Sequence, residues 1–331
     1  MRIKKLKSKP FLMLLIFLSG ALSGIGFYKI FLHKNKSSIE KRIGECSGSS
    51  CHYANPLLEC EQYQGGDRNL DLVKSKLKKF IATKIRENSA TEIAVYIRDL
   101  NNGPWIGIGE KERFAPGSLL KVPIMISYFK LAETEPEILN KKILYEKEID
   151  NPYQLKNSES LRPGNTYTVS ELIYRMIIYS DNVAKELLLM NIDKDDLLKT
   201  HIDLHLEIPD IRKPDDFISV KEYASFFRIL YNASYLNRTM SEKALEILTE
   251  VYFKDGIVAG VPPNIKAAHK YGICRQGPAI KQVHDCGIVY YPKSPYLLCV
   301  MTKGIDVPVL EEITKEISRI VYEHKKKYSS Q

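Results

Sequence analysis

The strand-like runs of this chain fall into two groups far apart in sequence, with a helical block between them, and this order restricts the fold more than any other feature. Asp67–Glu87 carries Leu70, Val73, Leu77, Phe80, Ile81 and Ile85 at helical spacing. Ile93–Asp99 alternates with β-branched residues and predicts a strand. The turn Asn101-Asn102-Gly103-Pro104 joins it to a second strand at Trp105–Gly109. A helix is predicted from about Ser118 to Leu131, then a looser segment to Gly164. Three capping boxes, Thr168 with Glu171, Ser219 with Glu222 and Thr239 with Glu242, open the apolar-periodic runs 169–179, 220–231 and 240–252. Strand-like stretches follow at His269–Cys274, Cys286–Tyr291 and Tyr296–Thr302, and Pro308 opens a last helix. Such an order places all the strands in one antiparallel sheet, with the terminal helices on one face and the helical block on the other. The predicted class is α/β, more strictly α+β.

Charge is distributed as unevenly as the elements. The net charge of the 331 residues is +9, but residues 1–45 hold ten Lys and Arg against Glu40 and Glu45. The remaining chain carries 39 basic and 38 acidic side chains, which leaves little for the basic face that a nucleic-acid reader needs. Met1–Pro10 is a basic tail, and Phe11–Tyr28 contains no charged residue. Such a run approaches the ~20 residues a helix needs to cross a bilayer, and the basic flank is expected to stay in the cytoplasm. The predicted organisation is a cytoplasmic tail over 1–10, a single-pass anchor over 11–32, a stalk over 33–66 and an extracytoplasmic domain over 67–331. A cleaved signal peptide is the competing reading, but no A-x-A site follows the run.

Six cysteines suit an oxidising compartment. Cys46, Cys51 and Cys60 lie in the stalk; Cys274, Cys286 and Cys299 lie near the C-terminus. No His accompanies them at zinc-finger spacing, which argues against a metal site. Cys274 and Cys286 are equidistant from Ile280, so a hairpin turning near Arg275–Lys281 is predicted to join them as a disulfide, with Cys299 a buried thiol.

Three short motifs carry chemistry. In Ser118-Leu-Leu-Lys121 the hydroxyl and the amine share one helix face, and burial lowers a lysine's pKa until it can serve as a base. The same spacing recurs at Ser38/Lys41 and Ser75/Lys78, but only Ser118 is framed by Phe114-Ala-Pro-Gly and Val122-Pro-Ile-Met, a turn running into a buried helix. Tyr179-Ser180-Asp181-Asn182 lies between two amphipathic runs, where Ser and Asp also serve as helix caps. His269-Lys270-Tyr271-Gly272 puts a lysine on a strand, with a glycine that permits close backbone approach.

Together, and in that order, these motifs resemble the class A β-lactamases and related penicillin-binding proteins, whose signatures are S-x-x-K, S-D-N and K-T-G. The spacing, 62 residues from Ser118 to Ser180 and 90 from Ser180 to Lys270, agrees. Leu161–Leu172, Gly260-Val-Pro-Pro263 and Val300–Gly304 are similar to that family as well. The resemblance implies a β-lactamase or DD-peptidase fold with Ser118 as nucleophile, Lys121 as its activating neighbour and Ser180 as proton relay. It also implies that Asn182 binds a substrate amide, that Lys270, Tyr271 and Gly272 line the substrate site, and that the backbone N–H groups of Ser118 and Ile273 form the oxyanion hole. No metal or organic cofactor is implied. The expected ligands are β-lactams or D-Ala-D-Ala-type peptidoglycan stems, and the chain is read as a monomer. The alternatives are a DD-peptidase and a non-catalytic receptor for penicillin or cell-wall fragments.

The sequence departs from the family pattern twice. Tyr271 stands where the family has Thr or Ser. The deacylation motif E-x-x-L-N is absent from His201–Phe217, where Asp203, Glu207, Asp210, Asp215 and Asp216 are the only acids. The second departure predicts slow hydrolysis of the acyl-enzyme.

Overall fold

A computed structural model describes residues 53–54, 68–101, 103–149, 160–204, 216–276 and 280–328. The predicted anchor, all of the predicted stalk except Tyr53 and Ala54, and Cys46, Cys51 and Cys60 lie outside them. Among the described residues no helix is long and apolar enough to cross a membrane.

Helix α1 (Arg68–Arg86) precedes strands β1 (Glu92–Asp99), β2 (Trp105–Ile108) and β3 (Arg113–Phe114). A 3-10 turn, Gly117–Leu120, leads into α2 (Lys121–Leu131). Next come β4 (Lys142–Leu144), β5 (Thr166–Thr168), α3 (Val169–Ile178), α4 (Asn182–Asn191), α5 (Lys194–Asp203), β6 (Ile218–Ser219), α6 (Val220–Asn232) and α7 (Arg238–Thr249). The chain closes with β7 (Ala267–Gln276), β8 (Ile280–Val289), β9 (Tyr296–Gly304) and α8 (Val307–Tyr328). The principal sheet has five antiparallel strands in the order β2-β1-β9-β8-β7.

The sheet is covered on both sides, so its central strands read as nearly continuous apolar runs. Alternation still decides which residue faces which layer. Ala94, Tyr96, Leu297, Cys299 and Met301 join the core under the helical block with Val122, Met125, Phe129, Leu172 and Phe227. Ile93, Val95, Ile97, Leu298 and Val300 pack into the other core with Val73 and Leu77 of α1 and Leu310, Ile313 and Ile317 of α8. Burying each such side chain stabilises the fold by about 1.5–3 kcal/mol. The expected sheet flanked by helices is therefore present.

Two of the three capping boxes form, at Thr168–Glu171 and Ser219–Glu222. The third does not. Asn237 caps α7 by accepting from Met240 N at 2.9 Å, two residues before Thr239. Glu242 instead accepts the backbone N–H groups of Tyr53 and Ala54 at 2.8 and 2.7 Å.

The disulfide prediction is also corrected. The β7–β8 ladder pairs Cys274 with Gln282 and Cys286 with Lys270, because the hairpin turns two residues earlier than the sequence suggested. Cys286 lies opposite Cys299 on β9, the two Cα atoms are 4.0 Å apart, and they form the disulfide, while Cys274 is a free thiol. The polar residues Gln282, His284 and Asp285 disguised the first half of β8. Each is fully buried, and each is hydrogen-bonded there. Non-reducing peptide mapping is expected to recover Cys286 linked to Cys299. Removing the cross-link, which spans 13 residues, should cost about 2–3 kcal/mol of unfolding free energy. Recovery of a Cys274–Cys286 peptide would contradict this pairing.

Candidate active site

The segment before Ser118 is held from three directions. Strand β3 pairs with β6 through Arg113↔Ser219 and Phe114↔Ile218. Ala115 donates its N–H to Gln282 Oε1 at 3.0 Å, and its carbonyl meets His284 Nε2 at 3.1 Å. Burial pulls the His284 pKa down to about 4, so the ring is neutral and its Nε2–H donates to that carbonyl. Gly117 adopts a left-handed φ of +53°, and a Cβ there would meet the Ile273 carbonyl oxygen at 2.9 Å. Only glycine turns the chain this sharply against β7. Tyr223 OH donates to the Leu119 carbonyl at 2.9 Å and braces the turn from the helical side. Ser118 thus sits, half-buried, on the 3-10 turn that runs into α2.

Helix α2 is buried along nearly its whole length, so Lys121 has no route to solvent. Its side chain is 1% exposed. Its Nζ lies 3.1 Å from Ser118 Oγ, 3.0 Å from Ser180 Oγ, 2.5 Å from the Ser180 carbonyl and 2.6 Å from Asn182 Oδ1. Burial first, then the nearby positive charge of Lys270, hold its pKa well below the ordinary lysine value. A neutral amine has two N–H donors and one lone pair. The carbonyls of Ser180 and Asn182 take the donors, and the lone pair then faces a serine hydroxyl.

The loop between α3 and α4 has two functions. Asp181 caps α4, accepting from Val183 N and Ala184 N at 2.8 and 3.1 Å. Ser180 and Asn182, on either side of it, turn toward Lys121. Ser180 reaches that position with a left-handed φ of 55°, a strained conformation for a residue with a Cβ. One loop thus combines the Asp181 cap with the contacts of Ser180 and Asn182 to Lys121.

Lys270 comes to the same point from β7. Its Nζ donates to Ser180 Oγ at 3.1 Å and to the Tyr271 carbonyl at 3.1 Å. The side chain is fully buried, and burial lowers its pKa to about 7 against the opposing field of Asp285. Gly272 is required by the packing of the protein itself. A Cβ there would meet the Pro116 carbonyl oxygen at 2.6 Å, so the glycine lets β7 approach the turn that carries Ser118. Ile273 lies beside Gly117 across the same close approach.

The structure thus brings Ser118, Lys121, Ser180, Asn182 and Lys270 into one cluster, with Tyr271, Gly272 and Ile273 along its β7 edge. Ser75 and Lys78 are exposed on α1, away from any such setting. Sequence reasoning missed Gln282 and His284, which brace the turn that carries Ser118, and the buried pair His269–Asp285, with Nδ1 and Oδ1 2.9 Å apart. The available signal was a set of polar residues within an otherwise apolar strand. Two candidate deacylation acids have other tasks. Asp216 binds Lys303 at 2.7 Å and Gln282 at 2.8 Å, and Asp203 binds Lys199 and Tyr235, both at 3.0 Å. Glu207, Asp210 and Asp215 lie outside the described residues.

The sequence profile of the beta-lactamase enzyme family matches residues 73–325. No curated relative matches the chain in sequence. Among solved structures, a mutant of PBP-A held as an acyl-enzyme with penicillin G superposes with a TM-score of 0.69 at 21% identity, covering 82% of this chain and all of that one. A variant of the class A β-lactamase of the last common ancestor of Gram-negative bacteria gives 0.67 at 21% identity, over 76% of this chain and 99% of the other. A mutant of the extended-spectrum β-lactamase TLA-1 gives 0.67 at 16% identity, over 78% and 99%. At these identities the structural likeness speaks for the fold, and the family rests on the profile.

Proposed function

The chain belongs to the beta-lactamase enzyme family, and from that premise we propose that it is a serine hydrolase acylated at Ser118 by β-lactams or by D-Ala-D-Ala-type peptidoglycan stems. The observation that carries this reading is the position of one buried amine, Lys121 Nζ, within 3.1 Å of both Ser118 Oγ and Ser180 Oγ. Neutral Lys121 takes the Ser118 proton as Oγ attacks the carbonyl carbon, and a tetrahedral oxyanion forms. The backbone N–H groups of Ser118 and Ile273 receive that oxyanion, a type of contact each worth about 3–4 kcal/mol in the transition state. Ser180 passes a proton to the departing nitrogen and is resupplied by Lys121 or Lys270, both of which touch its Oγ. The substrate amide contact falls to Asn182 Nδ2, since Asn182 Oδ1 accepts from Lys121.

In this reading residues 11–32 anchor the chain and the catalytic unit faces away from the cytoplasm, supported by the basic Met1–Pro10 and the uncharged Phe11–Tyr28. One experiment tests both parts. Bacterial cells expressing the full chain are treated with a fluorescent penicillin, and the membranes are washed at alkaline pH. The labelled band is expected to remain with the membranes, and peptide mapping to put the adduct on Ser118. An adduct on another serine would refute the nucleophile, and release of the band by the wash would refute the anchor.

A further inference from the structure

We propose that Tyr271 is a specificity-determining residue that closes Lys270 off from a ligand carboxylate, so that acylation does not depend on a free carboxylate in the donor. The inference rests on the acylation of Ser118 proposed above and concerns what kind of donor is taken.

The Tyr271 side chain is only 4% exposed, and Lys270 behind it is not exposed at all. Lys270 Nζ lies 4.1 Å from the centroid of the Tyr271 ring. The ring also stacks on Phe253, with centroids 4.1 Å apart and planes 20° from parallel. The ring is therefore held between an aromatic neighbour and the Lys270 amine.

The remaining contacts of Lys270 are the Ser180 hydroxyl and its neighbour's carbonyl. Both are internal to the proton-transfer cluster. A carboxylate would have to approach Nζ to about 2.8 Å to bind it, and that approach requires the ring to leave its stack. Burial also lowers the Lys270 pKa to about 7, so near neutrality the group is not a permanent cation. The surrounding charges add to the effect. Asp285, opposite Tyr271 in the ladder, is a fully buried carboxylate held by His269 Nδ1 and the Ile257 N–H, so the charge across the ladder is negative. The next basic residue along β7, Arg275, stands five residues on, about 16 Å along the strand. Lys121 is engaged with the two serines and Asn182. The site thus uses its buried lysines for proton transfer, and nothing in the cluster presents a cation to the ligand. A donor that is neutral at this position, such as an ester or a peptide that continues as an amide beyond the reacting bond, loses nothing.

The test is the rate of Ser118 acylation by benzylpenicillin and by its methyl ester, followed by intact mass, in the wild type, Tyr271→Thr and Tyr271→Phe. The wild type is expected to react with both at rates within about threefold, and Tyr271→Thr, which uncovers Lys270, to prefer the free acid by about tenfold or more, the scale of one charge-assisted hydrogen bond. Tyr271→Phe keeps the ring and is expected to keep the wild-type ratio. A wild-type preference for the free acid above about tenfold overturns the proposal while leaving acylation intact. So does an unchanged ratio in a Tyr271→Thr variant that still reacts. Reaction with neither compound in the wild type refutes the acylation of Ser118 itself, and with it this inference.

Discussion

Replacing Lys121 with alanine is expected to slow acylation of Ser118 by at least ~100-fold, the scale of losing a general base. Lys121 Nζ is the protein group that hydrogen-bonds Ser118 Oγ, at 3.1 Å. No carboxylate hydrogen-bonds Ser118 among the described residues. The pH profile separates a base from a merely structural lysine. Burial and the charge of Lys270 lower the Lys121 pKa, so the neutral, proton-accepting amine becomes available well below the usual lysine range. In the wild type, acylation should rise with pH as this proton leaves, and fall above about 7 as Lys270 loses the charge that the relay uses. The two amines share Ser180, so the profile reports on the pair. In Lys121→Ala the rising limb should disappear. Folding should survive, because a buried lysine is a burden on the fold. Its lowered pKa means that the unfolded chain binds more protons between the folded value and about 10.4. For Lys270 that penalty is fully present below about 7 and is relieved as pH rises toward the ordinary lysine value. Unchanged acylation in Lys121→Ala, measured by stopped flow on a variant whose circular dichroism matches the wild type, would place the base elsewhere.

The second large effect is on deacylation. In the proposed reading acylation uses Ser118, Lys121 and the oxyanion-hole amides, supplied by the 3-10 turn, the start of α2 and β7. Hydrolysis of the ester also needs a water held by a base. The chain lacks E-x-x-L-N between α5 and α6, Asp203 and Asp216 are bound to Lys199 and Lys303, and no carboxylate among the described residues hydrogen-bonds Lys121. Losing such a base typically costs a factor of about 10²–10⁴. A chromogenic cephalosporin in stopped flow is therefore expected to give a burst equal to the enzyme concentration, followed by a slow steady state. Turnover at about tens per second, the ordinary enzyme scale, would show that an acid in the loop, Glu207 first, has taken over this role. Glu207→Gln would then abolish the turnover and leave the burst.

Much of this was legible in the sequence because it is local. The S-x-x-K spacing puts two side chains on one helical face whatever surrounds them. The capping boxes at Thr168 and Ser219 lie within four residues, and the order of strands and helices leaves few ways to bury both sheet faces. The readings that failed all depended on partners distant in sequence. Thr239–Glu242 is a sound local capping box, but Asn237 caps the helix and Glu242 is engaged by Tyr53 and Ala54. The disulfide was read from symmetry about Ile280, yet a hairpin's register is set by its turn and by the buried partners of each strand. A small difference in where the chain turns moves Cys274 opposite Gln282.

The sequence alone singled out Ser118, the two lysines and the S-D-N loop as one candidate cluster and determined the antiparallel sheet between helices, because periodicity, capping and motif order are properties of neighbouring residues. Only the tertiary structure decided what the lysines can do. Lys121 and Lys270 become weak bases because both side chains are buried in the fold, and desolvation penalises their charged forms. The structure likewise decided that Gly272 serves the contact between β7 and the Ser118 turn, that Gln282 and His284 hold that turn, and that Tyr271 lies stacked on Phe253 over the lysine. Each of these depends on residues tens to more than a hundred positions apart meeting across the sheet, a relation that folding creates and that no stretch of the chain contains.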